Sequence, residues 1–152
     1  MFVAHETTAA LELTTAEHLI DLLREGDLEP GEAAFHEDGR LKARVGPWEE
    51  GINRVVLLDL GLAEIHRGGL VYPVNWVAES GSGLFPSLTG ELTLSHAGRG
   101  RTRFVFRGNY EPPLGPLGKV ADRVALGRLA DTTVQHWLDD LCASLVAVSA
   151  KS

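Results

Sequence analysis

Cysteine occurs once in the 152 residues, at Cys142, so no internal disulfide framework holds this chain together. Long apolar runs are missing: no window approaches the roughly 18 residues of a bilayer-spanning helix. Met1–Leu13 has neither a basic start nor a continuous apolar stretch, which argues against a signal peptide. No Asn-x-Ser/Thr triplet is present, and the expectation is a cytoplasmic protein without stable membrane insertion. Internal repeats and low-complexity segments are absent as well. Positive charge is in deficit, with 14 Lys+Arg against 21 Asp+Glu and a net charge of −7. Such a balance repels a phosphate backbone and argues against nucleic acid as a partner. The deficit is concentrated in residues 1–50, which hold twelve acids and four bases. That third reads as a solvated acidic face; the other reading is a docking surface for a basic partner around Glu29 and Glu32.

Catalytic constellations are thin. A nucleophile elbow needs Gly-x-Ser-x-Gly, and Ser80-Gly81-Ser82-Gly83 has serine in the first glycine's place, so it reads as a turn. The six histidines (His5, His18, His36, His66, His96 and His136) are scattered over different elements, which gives no metal-ligand spacing. His136 and Asp140, four apart, read as a surface pair. Arg67-Gly68-Gly69 is too short to cradle a phosphate and reads as a hairpin turn. Cys142 reads as a small buried thiol. The sequence therefore implies no metal and no cofactor.

The hydrophobic fraction, 44%, and the charged fraction, 23%, are ordinary for a globular chain, and the length suits one domain. A chain of this size buries roughly 70% of the surface its unfolded form exposes. Phe2–Leu13 alternates weakly, with Val3, His5, Thr7, Ala9, Leu11 and Leu13 on one face, as in a half-buried strand. A helix follows, opened by the capping-box pattern Thr14-Thr15-Ala16-Glu17 and stopped by Gly26 and Pro30-Gly31. Strands are predicted at Ala33–His36, Arg40–Val45, Asn53–Leu60, Ala63–His66, Val71–Ala78, Leu88–His96 and Thr102–Tyr110. Turns fall at Glu37–Gly39, Arg67–Gly69, Ser80–Gly83 and Ala97–Gly100. Consecutive strands with short turns mean an antiparallel meander. Phe104, Phe106, Gly108 and Tyr110 share one face, as do Leu88, Leu92 and Leu94, so one side of the sheet is apolar and needs cover. Pro112–Pro116 is a stiff bend, with Gly115 as N-cap and Pro116 at the first helical position. From Leu117 to about Val148 there is no proline, and Leu117, Val120, Val124, Val134, Leu138, Leu141, Leu145 and Val148 recur at helical spacing. Gly127 is the weak point of that long helix.

The strings Val71-Tyr72-Pro73-Val74-Asn75-Trp76, Leu84-Phe85-Pro86, Leu88-Thr89-Gly90-Glu91-Leu92 and Gly108–Gly115, with Gly118, Asp122-Arg123 and Arg128–Thr133, carry a resemblance. Over about residues 70–145 the chain resembles a bacterial branch of the START-related (SRPBCC) superfamily, which includes polyketide cyclases/dehydrases, lipid-transfer domains and pollen-allergen-like proteins. It departs in showing one short helix clearly where the family usually has two, and in placing Trp48 later than the family's tryptophan motif. The resemblance implies an α+β helix-grip fold over residues 1–152. A curved antiparallel sheet of about six to seven strands would wrap a long C-terminal helix, with one or two short helices after the first strand. A lipocalin-like barrel is the competing fold, and has less use for so long a helix.

A small hydrophobic or amphipathic molecule is then the implied partner, held between sheet and helix. The candidate lining is Tyr72, Trp76, Leu92, His96, Phe104, Phe106, Tyr110, Val124, Val134 and Trp137, each with plain core as its alternative role. His96 continues the apolar face of its strand, and with Tyr110 it is the candidate for proton transfer. Arg103 and Arg107 face water. The preferred reading is a carrier or sensor; the alternative is a cyclase or dehydratase using the same cavity. Homodimerisation is left open.

Overall fold

The computed structural model describes residues 1–46, 54–79, 87–111 and 123–151. Its elements are β1 (Phe2–Ala9), α1 (Leu13–Glu25), β2 (Phe35–Glu37), β3 (Arg40–Val45), β4 (Arg54–Leu60), β5 (Glu64–His66), β6 (Gly69–Ala78), β7 (Ser87–His96), β8 (Thr102–Glu111) and α2 (Arg123–Ala150). The architecture is the expected α+β one: a curved, unclosed antiparallel sheet with a short helix after β1 and a long C-terminal helix. Strand order is β1-β8-β7-β6-β4-β3-β2. The described strands number eight because β4 and β5 share one neighbour. β4 pairs with Val74–Ala78 of β6, and β5 pairs with the Gly69–Val71 stretch of the same strand. Among the described residues no helix is long and apolar enough to cross a membrane.

Alternation in β1 holds: Val3 and Ala9 are buried, His5 and Thr7 half-buried, and Glu6 and Thr8 exposed. The strand stops at Ala9 rather than Leu13, because Leu11 turns inward and its carbonyl accepts from the buried Thr102 hydroxyl at 2.7 Å. That contact moves the start of α1 forward. Glu12 is the N-cap, without a side-chain cap bond, so Thr14 and Glu17 fall inside the helix and the capping box does not form. The other end is as expected: Gly26 adopts φ 87°, and its N–H returns to the carbonyls of Leu22 and Leu23, a left-handed cap that glycine takes without a Cβ penalty. Helix α1 buries Ala16, Leu19, Ile20 and Leu23. Arg24 ties its last turn to the sheet, donating to the carbonyls of Leu60 and Gly61 at 3.2 Å each.

Helix α2 buries Ala130, Val134, Trp137, Leu138, Leu141, Cys142 and Leu145, the three- and four-residue spacing of an apolar stripe. It crosses the apolar face of the sheet and runs beside β1. There Thr7 donates to Asp139, Gln135 donates to the same carboxylate at 2.9 Å, and His5 Nε2 lies 3.3 Å from Asp131. Ser80–Gly83, Leu84–Pro86, the Pro112–Pro116 bend with the Gly115 cap, and the predicted helix start at Leu117 lie outside the described residues, as do Trp48 and Asn53.

A buried lysine stands on the outer face. Lys42 of β3 is 2% exposed. Its ammonium donates to Glu79 at 2.5 Å and to Glu37 at 3.1 Å, and the Glu79 bond raises its pKa above the usual lysine value. Burial of its stem follows from the neighbours that register supplies, Phe35 on β2 and Leu57 on β4, as long basic side chains lay their methylenes along apolar surface.

Candidate functional site

Register across the sheet assembles the inner wall. Trp76 of β6 stands opposite Leu88 of β7, which stands opposite Tyr110 of β8. Two rows along, Tyr72, Leu92, Phe106 and His5 align across β6, β7, β8 and β1. Phe104 and Leu94 form the next row. Between the first two rows, Gly90 faces Gly108. A Cβ built on Gly90 would stand 2.7 Å from Phe106 Cζ and one on Gly108 3.0 Å from it. The Phe106 ring occupies the space that two side chains would otherwise take, and this sets the depth of the bowl.

Helix α2 closes the bowl with Val134 and Trp137. Trp137 meets Trp76 edge to face, with centroids 5.3 Å apart, and Phe106 at 6.0 Å; Trp76 meets Tyr110 at 6.4 Å. These are the T-shaped distances at which ring quadrupoles attract. The structure therefore brings together Tyr72, Trp76, Leu92, Phe104, Phe106, Tyr110, Val134 and Trp137, all buried. It does not bring in His96 or Val124. His96 has the inward parity of β7 but is the last residue of that strand and is exposed at its rim. Val124 is 59% exposed. It lies in the first turn of α2, ten residues before Val134 and so about 80° off that residue's face at roughly 100° per residue.

Position on α2 is fixed by a clamp that the sequence does not advertise. The Trp137 indole donates to the Ala33 carbonyl at 3.0 Å, while Asp140 accepts from the Ala33 backbone. Asp140 is pushed up from its usual range chiefly by burial, the Ala33 bond working against this and the charge of Glu32 adding to it.

The wall is apolar but not free of polar atoms. The Tyr72 hydroxyl, the Trp76 indole nitrogen and the Thr133 hydroxyl are buried without a hydrogen-bond partner among the described residues. Thr133 lies close enough to Tyr110 to offset part of the burial that lifts the Tyr110 phenol to about 12, yet it falls short of full hydrogen-bond geometry. Tyr72 is lifted to about 12 as well, by burial first and then by the charges of Asp21 and Glu17, while Arg24 sits 5.9 Å over its ring. Thr133 was missed by sequence reasoning; its one signal is its place four residues before Trp137 on the helix stripe. Cys142 is buried as expected, its thiol lifted to about 12 by burial.

A separate open cleft of about 650 Å³ is bordered by Glu32, His136, Asp139 and Asp140, and none of these belongs to the aromatic wall. Its acids are already engaged: Glu32 with Arg44 at 2.8 Å, Asp139 with Thr7 and Gln135, and Asp140 with Ala33. Among the described residues no group of three or more His, Cys, Asp or Glu side chains is placed to hold a metal ion.

No protein-family model and no curated protein matches the chain. Solved structures do. TTHA0849 from Thermus thermophilus is similar at 18% identity and a TM-score of 0.61, over 98% of this chain and 99% of that one. The Zhui aromatase/cyclase from Streptomyces sp. R1128 is similar at 11% identity and a TM-score of 0.58, over 99% and 94%. A START superfamily protein from Mycobacterium smegmatis is similar at 14% identity and a TM-score of 0.56, over 99% and 97%. At these identities the likeness is one of fold alone, the helix-grip fold of a curved antiparallel sheet around a long C-terminal helix.

Proposed function

We propose that this helix-grip chain binds a small hydrophobic or amphipathic molecule between the concave face of its sheet and α2. The observation that carries the reading is the buried apolar wall, whose aromatic rings come from β6, β8 and α2 and whose leucines come from β7. Neighbours of this fold typically bind hydrophobic ligands. Shape and apolar contact give such a site its affinity, and a few placed polar groups give it orientation. The rings of the wall touch one another, so a ligand takes its place by parting Trp137 of α2 from Trp76 and Phe106 of the sheet. Binding then changes tryptophan fluorescence.

The test is displacement of an apolar fluorescent dye by fatty acids, polyketides and quinones, with native mass spectrometry for any retained occupant. Displacement by at least one class, with an accompanying change in tryptophan emission, is the expected result. No displacement by any of them overturns the reading.

The aromatase/cyclase among the similar structures makes cyclisation or dehydration the second reading. General acid–base work near neutral pH needs a group that exchanges protons there. The wall's two phenols are lifted to about 12, and His96 stands in solvent. These observations favour carriage over chemistry. If Tyr110 serves as a proton donor, Tyr110→Phe abolishes turnover of a polyketide-like substrate; under carriage, it leaves dye affinity within about threefold.

A further inference from the structure

The Trp76 indole N–H has no partner among the described residues, although the residue lies on the floor of the wall and is 1% exposed. An indole N–H is a donor only, and a buried donor left unpaired costs about 1–3 kcal/mol. The contrast with Trp137 is direct, since that indole reaches the Ala33 carbonyl at 3.0 Å. Trp76 is held between Tyr110 and Trp137. Thr133, one turn before Trp137, adds a buried hydroxyl without a full hydrogen bond, and Tyr110 neighbours it. Trp76 of β6 thus adjoins Tyr110 of β8, which in turn adjoins Thr133 of α2, and two of these three carry an unpartnered polar atom inside an otherwise apolar wall.

We infer that these residues select the ligand: the bound molecule carries an oxygen acceptor, of the carbonyl class, which receives the Trp76 N–H, with the Thr133 hydroxyl as a second donor. The inference rests on the binding reading above and narrows it. A saturated hydrocarbon would leave the N–H unpaired, and a cationic head would bring a charge into a wall whose residues include no carboxylate to pair it. A neutral ketone, ester or quinone oxygen satisfies both groups without bringing a charge into the wall.

Two isosteric pairs test this: 2-acetylnaphthalene against 2-isopropylnaphthalene, and decan-2-one against 2-methyldecane. In each pair a carbonyl oxygen is exchanged for a methyl group. The full chain is expected to bind the ketone of at least one pair about tenfold more tightly. Trp76→Phe, which keeps an aromatic ring and removes the N–H, should reduce that preference to about twofold or less. Thr133→Val should reduce it in part. Nitrogen-15 NMR gives a readout on the unaltered protein: the Trp76 indole proton moves downfield with the ketone and not with the hydrocarbon. Equal affinity for ketone and hydrocarbon overturns the selection while leaving the binding reading intact, and so does a preference that survives in Trp76→Phe. Failure of all four probes and of every dye competitor overturns the binding reading itself, and the selection with it.

Discussion

Gly90 and Gly127 are the same residue in opposite surroundings. A Cβ on Gly90 would lie 2.3 Å from the Arg107 carbonyl oxygen and 2.7 Å from Phe106 Cζ, whereas one on Gly127 meets nothing within 4 Å. Gly90→Ala is expected to destabilise by about 1–3 kcal/mol, the usual cost of overpacking. Gly127→Ala, in the interior of α2, is expected to stabilise by about 0.5–1 kcal/mol through helix propensity. Urea unfolding of the two variants checks both signs. If Gly90→Ala is neutral, the Phe106 ring is not held against the glycine pair as described. The weakness of Gly127 was legible in the sequence because it depends on local propensity alone. The role of Gly90 was not, since it depends on which residue register sets opposite. The same distinction covers His96, whose parity was legible and whose place at the rim was not. It covers Lys42 too, whose cover by Phe35 and Leu57 depends on the strands that register sets beside it.

Element order and type were largely readable, because each depends on periodicity over several residues. The period of two in β7 and β8, the α2 stripe of Val134, Leu138, Leu141 and Leu145, and the Gly26 stop all survive. Boundaries moved where a distant residue intervened: Thr102, about ninety residues away, pins Leu11 and sets where α1 begins. The wall was mostly legible, since inward parity in three strands and the helix stripe name its residues. The clamp at Ala33 was not, because it joins side chains of α2 to backbone atoms that leave no signature in sequence. Trp137→Phe tests that clamp. It should cost about 1–3 kcal/mol in a denaturant titration, as the Ala33 carbonyl loses its donor. Asp140→Asn keeps an acceptor for the Ala33 N–H and removes the repulsion from Glu32. A carboxyl whose folded pKa is raised weighs against folding once pH exceeds its usual value of 3.8. The variant should therefore be the more stable at neutral pH, and the gain should vanish below about pH 4. Thermal melts across that range decide it, and a gain independent of pH would show that the carboxylate charge is not its source.

At the scale of the molecule, the chain's two tyrosines, Tyr72 and Tyr110, both lie in the wall. Each phenol is lifted from 10.0 to about 12 in the folded state. Below pH 10 both states hold the proton and folding is unaffected. Between pH 10 and 12 the unfolded chain loses protons that the folded one keeps, so stability falls by up to about 1.4 kcal/mol per pH unit for each phenol. Tyrosinate absorbance should therefore rise in one steep step, together with loss of circular dichroism. A gradual rise centred near pH 10 in a still-folded protein would show that the wall is open to water. Apolar wall, grip and helix are one cooperative object in this respect, since its two phenols report on the same event.

The register that seats β1 against β8, Phe2 facing Asn109 and Ala9 facing Thr102, has a consequence for how the protein is made. β1 finds its neighbour only after roughly a hundred further residues have been added. A nascent chain halted before Thr102 holds β1 as an orphan, and the apolar row of β7 lacks its flank. Completion of the grip is thus a long-range event, of the kind that slows folding and leaves sheet edges open to neighbouring chains until β8 has been made.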